Sequence, residues 1–389
     1  MGFLAVLSSA YSHLLALRFD HKASASLKGL SSGFKPRVCL VMACRGDEFR
    51  LRENVEAILN QTYPNYHVIM VTDSLNDPAY SIVSSVLDLH PTSDAHLYIA
   101  DSHPHASGKV AALLTALDRD EWRSDAYAFV DSDAVIPRRW LQDVIQPLED
   151  ESVGCTTGFR WYFPVRRGFW SQVQSAWNAS GSNLMFNERY NFPWGGAMAI
   201  PTQILKAIDI RSVWEAAISD DLSLNAALRK HNYRIMFLPQ CTVATYNQAT
   251  MRSFLNWGIR QVTLTRVLNR RLWTYGLAAY AFLTIVMALG VVSFIVGVIW
   301  SPAWLLPAVL LLSPSILGLF RSNQRVSTFK RALPEFAADF DRNRSAHSIA
   351  SLIVPLIMTY CIFKSTGTRD IEWRGRTYQL GGASALAAT

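Results

Sequence analysis

In "YAFVDSDAVIPRRW", residues 127–140, the chain is apolar up to Val130 and then presents Asp131 and Asp133 on either side of a serine. Strand-like alternation points two such carboxylates to one side, and leaving the strand lets them converge on a hard cation. Magnesium and manganese prefer oxygen ligands and keep coordination positions for phosphate oxygens, so the pair suits a diphosphate anchor; a solvated turn capping the next helix is the alternative reading. Three further features belong beside it. Asp73, in "VTDSLNDPAY", has a carboxylate suited to accept hydrogen bonds from a base or a ribose. Gly195 and Gly196, in "NFPWGGAMAI", leave the backbone sterically open ahead of a small apolar strand. Asp220 and Asp221, in "ISDDLSLNAAL", stand just before an amphipathic helix, where they serve either chemistry or an N-cap with favourable dipole charge.

The elements that must position these residues are legible as alternating patterns. "RVCLVMAC" (37–44), "HVIMVTDS" (67–74), "AHLYIADS" (95–102) and "YAFVDSD" are short apolar runs that end in polar residues and read as strands. Between them "EFRLRENVEAILNQ" and "GKVAALLTALDRD" carry helical periodicity, the first stopping ahead of Pro64. Strands alternating with helices imply a mainly parallel sheet buried on both faces, with ligands bound beyond the carboxyl ends of the strands. Asp73, Asp131 and Asp133 all fall at such ends.

At 389 residues and 50% hydrophobic composition the chain has room for a catalytic-sized domain and more. Residues 273–299 carry no charge and are long enough to span a bilayer; after Ser301-Pro302, residues 303–320 form a second uncharged run of near-minimal length, and the two read as a hairpin. A third run, 349–363, is shorter than a straight span needs. Arg266, Arg270 and Arg271 precede the first run, while Arg321, Arg325, Lys330, Arg331, Arg342 and Arg344 follow the second, which puts both flanks on the cytoplasmic side. The tail carries Lys364, Arg369, Arg374 and Arg376, so full crossing by the third run breaks the same rule; a re-entrant or interfacial segment is expected. The first residues, "MGFLAVLSSAYSHLLALRF", lack a basic lead and a small-residue cleavage site and read as a membrane-associated segment rather than a cleaved signal. The expected organisation is thus 1–36 at the membrane, 37–270 globular and 271–389 membrane region with a basic tail. A net charge of +7 fits apposition to anionic lipid, and with no basic, aromatic-interleaved stripe nucleic acid is excluded as a partner. Five cysteines with no metal-type spacing read as reduced thiols of a cytoplasm-facing domain.

In this order the motifs resemble the ceramide glucosyltransferase family, membrane-bound inverting glycosyltransferases with an α/β GT-A (Rossmann-like) fold. The resemblance covers roughly residues 37–380 and rests on "DPA" after Asp73, "GKVAAL" before the D-x-D strand, the Gly-Gly strand, the aspartate pair, the apolar runs and the closing "WRGRTYQLGG". It implies that Asp73 holds the uridine of a UDP-sugar and that Asp131 and Asp133 meet the divalent cation (Mg2+ or Mn2+) and the sugar diphosphate. It implies that Asp221 is the base that deprotonates a membrane-lipid hydroxyl, with Asp220 where relatives often have glutamate. One departure stands out: in "SFLNWGIRQ", Ser253 and Asn256 occupy the usual Gln/Arg and Arg positions, Trp257 is kept, and Arg260 and Gln261 follow one turn later, close enough to supply the charge and the amide. Trp257 reads equally as an interfacial aromatic. The expected product is a glycolipid, with a processive polysaccharide synthase disfavoured by the altered motif.

Overall fold

The computed structural model describes residues 33–368, 370–373 and 376–379, so the expected N-terminal membrane segment and the end of the basic tail lie outside the described residues. In chain order the strands are β1 (Val38–Cys44), β2 (Tyr66–Thr72), β3 (Ala95–Ile99), β4 (Ala126–Asp131), β5 (Val153–Thr157), β6 (Arg160–Pro164), β7 (Ala197–Pro201), β8 (Arg234–Phe237), β9 (Val243–Asn247), β10 (Asp370–Trp373) and β11 (Arg376–Gln379). The helices of the first part are α1 (Leu51–Leu59), α2 (Pro78–Leu89), α3 (Gly108–Asp120), α4 (Trp140–Ile145), α5 (Phe169–Met185), α6 (Thr202–Ala207), α7 (Ile210–Trp214) and α8 (Asp220–Lys230). Those of the second part are α9 (Met251–Leu268), α10 (Arg270–Ile299), α11 (Leu305–Ala332), α12 (Ala337–Ala350) and α13 (Val354–Ser365).

Two compact units interleave along the chain, one made of 33–161 and Leu184–Tyr246, the other of Tyr162–Asn183 and 247–379. The first is built on a seven-stranded sheet of order β3-β2-β1-β4-β7-β5-β8. Its β1, β2, β3 and β4 pair in parallel, and β7 alone runs against its neighbours β4 and β5. Residues of β1 alternate between two cores: Val38, Leu40 and Met42 pack with Val55 and Ile58 of α1 and Val83 of α2, while Cys39 and Val41 pack with Val110, Leu113 and Leu117 of α3. A strand buried on both faces needs the near-continuous apolar run that the sequence shows. The register sets Cys44 beside Thr72 and Ala43 beside Asp131, so the carboxyl ends of β2, β1 and β4 finish level with one another. The fold is therefore α/β with a mainly parallel sheet, as the alternation of strands and helices predicts, and of the GT-A-like kind that the family resemblance implies.

The second unit is helical. Segments Arg270–Ile299, Pro302–Ala332 and Pro334–Ser365 are each long and apolar enough to cross a membrane. At 1.5 Å per residue a 30-residue helix is about 45 Å long, more than the ~30 Å hydrocarbon core. Val292, Phe294 and Val298 of α10, and Leu306, Val309 and Phe320 of α11, face outward, as lipid-facing helices require. α10 and α11 form the expected hairpin, with Gly297 against Leu305 and Gly290 against Leu311 and Leu312. The third apolar run is longer as a helix than its hydropathy shows, because polar residues continue it back to Pro334. It enters beside the open end of the hairpin, where Lys330 Nζ binds Asp341 at 2.6 Å. Arg344 then reaches Asn323 (2.7 Å) and Ser327 (3.0 Å) of α11. After a 3-10 turn at Ser351–Ile353 the chain runs back along α10, with Thr359 against Thr284 (2.9 Å) and Ser365 bonded to Trp273 Nε1 (2.9 Å). Both ends of this segment thus meet the open end of the α10–α11 hairpin. All five cysteines are buried, and none forms a disulfide.

Candidate active site

Asp131 is the last residue of β4, and its backbone N–H donates to Gly196 at 3.3 Å. Ser132 turns inward; its carbonyl accepts from Asn54 Nδ2 of α1 at 2.7 Å, and Ala134 N–H closes the turn on the Asp131 carbonyl at 3.0 Å. Held this way, the carboxylates of Asp131 and Asp133 converge on one guanidinium. Arg160, the first residue of β6, places Nη2 at 2.7 Å from Asp131 Oδ2 and 2.9 Å from Asp133 Oδ1, and Nη1 at 3.0 Å from Asp133 Oδ2. That guanidinium lies over the Trp194 ring, 4.6 Å from its centroid.

A second cation ties this pair to the other aspartates. Lys109 is the second residue of α3, whose N-cap Ser107 accepts from Val110 N–H at 3.3 Å. Its Nζ lies 2.7 Å from Asp131 Oδ1, 2.9 Å from Asp220 Oδ2 and 3.2 Å from the Gly195 carbonyl. Burial opposes its charge, yet Asp131, Asp220 and Asp221 outweigh that and raise its pKa. Asp220 is 2% exposed; burial lifts its carboxyl to about 6, with Lys109 pulling the other way. Asp221 is half-buried, and its Oδ1 accepts from Leu222 N–H at 2.8 Å and from the Ser219 hydroxyl. The N-cap of α8 is Ser219, so the sequence's alternative of an aspartate cap is corrected: both aspartates lie inside the first turn, where the helix dipole still favours their charge.

Gly195 and Gly196 are required by close approach. A Cβ on Gly195 would lie 2.1 Å from Asp220 Oδ2, and one on Gly196 would lie 2.2 Å from the Trp194 ring and 2.5 Å from Asp131 Oδ2. Antiparallel pairing of β7 with β4 brings this Gly-Gly backbone beside the D-x-D turn. Asp73 follows β2, with Arg45 Nη2 at 3.8 Å. It lies two strands from Asp131, roughly 10 Å across the sheet at ~4.8 Å per strand. Trp257, Arg260 and Gln261 belong to α9 of the helical unit, whereas the aspartates belong to the sheet unit. There Trp257 packs in a ring cluster with Trp177 (4.8 Å), Tyr162 (5.7 Å) and Phe254 (6.2 Å).

Lys109 and Arg160 escaped the sequence reading. Lys109 had a signal, since "GKVAAL" sets a lysine in the first turn of a helix, where its charge opposes the dipole and demands anions. Arg160 had none, because its meeting with Asp131 and Asp133 depends on where β6 starts.

Four carboxylates against two cations leave a formal surplus of two negative charges. An oxygen-only donor set with that surplus is the kind a hard divalent cation such as Mg2+ or Mn2+ takes. Cys39, His67 and Asp120 also bring possible ligand atoms within 4.8 Å of one another. Asp120, however, already accepts from His67 (2.7 Å), Tyr127 (2.5 Å) and Ser124 N–H (3.1 Å), and burial keeps the Cys39 thiol protonated. Asp120 is thus taken up by hydrogen bonds within the core, while the buried His67 Nδ1 has no hydrogen-bond partner among the described residues.

Among solved structures the chain is similar to the mannosyltransferase PcManGT from Pyrobaculum calidifontis in complex with GDP-Man and Mn2+, at 18% identity, covering 92% of this chain and 99% of that one, with a TM-score of 0.45. The profile of glycosyl transferase family 21 matches residues 2–385. Nearly the whole chain is accounted for by that match, and the protein is a glycosyltransferase belonging to glycosyl transferase family 21, the ceramide glucosyltransferase family.

Proposed function

We propose that the protein transfers a hexose, glucose first among the candidates, from a UDP-sugar to the hydroxyl of a membrane lipid such as ceramide, with inversion at the anomeric carbon. The observation that carries this reading is the chain of contacts from Asp133 through Arg160, Asp131 and Lys109 to Asp220. It joins a strand-end pair suited to a diphosphate with a helix-end pair suited to proton transfer, above a glycine backbone on which Asp220, Asp131 and Trp194 pack closely. Asp73 takes the uridine. A divalent cation held by Asp131 and Asp133 supplies Lewis-acid stabilisation of the departing diphosphate. The acceptor oxygen attacks the anomeric carbon from the face opposite the diphosphate, the bond to UDP breaks, and the acceptor's proton goes to a carboxylate. Asp221 suits that step because it is half-exposed, whereas Asp220 is buried and bound to Lys109. Trp257, Arg260 and Gln261 are assigned to the acceptor and to phosphate, and the catalytic unit to the cytoplasmic side, from the flanking basic residues.

Radiolabelled UDP-glucose incubated with membranes carrying the protein is expected to give a chloroform-soluble glycolipid. Galactosyl or N-acetylglucosaminyl transfer to diacylglycerol or a hopanoid is the alternative, distinguished by a donor panel crossed with purified lipids and read by mass spectrometry. An insoluble polymer would instead make it a polysaccharide synthase, and no product with any donor would remove the reading.

A further inference from the structure

Two turns before the end of α11 the helical unit holds a cation that it does not neutralise. Arg325 is half-buried, and its Nε is closed off from solvent with no acceptor. Its charge reaches the buried His347 of α12, so it lies toward that helix. Among the described residues no carboxylate pairs with it: the nearest acids of α12 are engaged elsewhere, Asp341 by Lys330 at 2.6 Å and Asp339 by Arg342 at 3.8 Å. Arg344, the other guanidinium along this edge, binds only the neutral Asn323 and Ser327. Arg321, one turn before Arg325 and within electrostatic reach of it, adds charge of the same sign. Two hydroxyls of the same helices are closed off without a partner as well, Ser322 at 1% exposure and Ser348 at 6%. Ser322 and Arg325 stand three residues apart and share a face of α11. A guanidinium withdrawn from water without a counter-charge is costly, and in a membrane-spanning segment such a residue marks a ligand site.

We propose that Arg325, flanked by Arg321 and Arg344, binds the phosphate of an anionic membrane lipid between α11 and α12. Phosphate accepts an arginine fork in two-point contact, and basic pockets between spanning helices are suited to anionic headgroups. A zwitterionic lipid also carries a phosphate, but its choline needs an anion beside it, and the acids of α12 are already paired with Lys330 and Arg342. The site lies within the helical unit and stands independently of the sugar-nucleotide reading.

The test is lipid retention by the full-length chain, purified in detergent with equal phosphatidylglycerol and phosphatidylcholine and read by native mass spectrometry, beside melting temperatures in nanodiscs with and without phosphatidylglycerol. Wild type is expected to retain phosphatidylglycerol over phosphatidylcholine by about tenfold and to melt higher where phosphatidylglycerol is present. Arg325→Gln is expected to lose both the preference and the rise, yet to melt no lower than wild type in phosphatidylcholine alone, where the fold gives Arg325 no partner to lose. Arg271→Gln, at an exposed arginine in the first turn of α10, is expected to keep both. If Arg325→Gln cannot be purified, Arg325→Lys, which keeps the charge without the fork, is expected to lose part of the preference; an unchanged preference overturns the site. An equal fall in melting temperature with and without phosphatidylglycerol makes Arg325 a structural residue and overturns it. Equal retention of the two lipids by wild type means ordinary headgroup contact and overturns it too. Loss of phosphatidylglycerol retention on adding inorganic phosphate would make the site one for soluble phosphate and overturns the lipid as its occupant.

Discussion

Asp220 and Asp221 are adjacent in sequence and opposite in circumstance. The first turn of α8 sends Asp220 inward to Lys109 and leaves Asp221 half-exposed, so amide substitutions of the two have different expected results. Asp221→Asn is expected to lower sugar transfer by about 10²- to 10⁴-fold while leaving nucleotide binding within a factor of two, because it removes a base and keeps the shape. Isothermal titration with UDP beside a transfer assay separates the two effects, and near wild-type transfer would make Asp221 a helix-terminal charge only. Asp220→Asn is read through pH. Its carboxyl lies at about 6 when folded, against 3.8 unfolded. Between those values the folded protein keeps a proton that the unfolded chain has released, so stability from this group is lost as pH rises. The Lys109 shift lies above pH 10 and does not act in this window. The loss is at most about 3 kcal/mol at 1.36 kcal/mol per pKa unit. Wild type is therefore expected to lose melting temperature relative to Asp220→Asn on going from pH 4 to 6.5. Parallel Tm curves for the two proteins would show that Asp220 does not titrate there.

At the scale of elements, the site depends on backbone that has no room for a side chain. β7 enters the sheet antiparallel to β4, and the glycines before it pass under the carboxylates. Gly195→Ala places a methyl 2.1 Å from a buried carboxylate that is itself held by Lys109, so neither partner can withdraw freely. The expected cost is about 1–3 kcal/mol of stability, as for overpacking in a filled core, together with a loss of nucleotide affinity. Gly367→Ala, with nothing within 4 Å of the added Cβ, is the matched control and is expected to stay within about 0.5 kcal/mol of wild type. Denaturant melts of both variants give the comparison; equal stability would mean that the floor is free to drop.

For the whole molecule the question is which face of the membrane receives the tail. The segment Pro334–Ser365 is long enough to cross, yet its contacts start at Lys330 and finish at Trp273, both at the open end of the α10–α11 hairpin. Arg266 extends the same end, donating to the carbonyls of Thr366 (2.8 Å) and Thr368 (2.6 Å). A re-entrant course is expected, as the positive charges of the tail also require. Ser365 is buried, so the exposed Thr366 is the site for a reporter. A cysteine at Thr366 is expected to react with impermeant maleimide from the same face as one at Arg271, and from the face opposite to one at Ala303. Labelling of Thr366→Cys together with Ala303→Cys would establish a full third crossing.

Much of this was set by local sequence. Strands β1, β2 and β4 are buried on both faces, and only a continuous apolar run meets that demand, so they are visible without coordinates; α3 begins at Gly108 and ends at Asp120 as its periodicity states. The aspartates mark themselves because a carboxylate at a buried strand's end has few structural reasons to be there. Tertiary structure decided what local pattern does not encode. Arg160 lies 27 residues from Asp133, and Lys109 lies 86 from Gly195; such meetings depend on strand order, above all on the antiparallel insertion of β7. Asp220 and Asp221 are alike in composition and differ only in which way a helical turn faces them. The membership of Tyr162–Asn183 in the helical unit follows from packing between segments far apart in sequence, such as Gln172 with Asn343, which hydropathy does not register. Periodicity reports what a residue's own element buries; which distant charge shares that burial is settled only when the sheet and its connections are assembled.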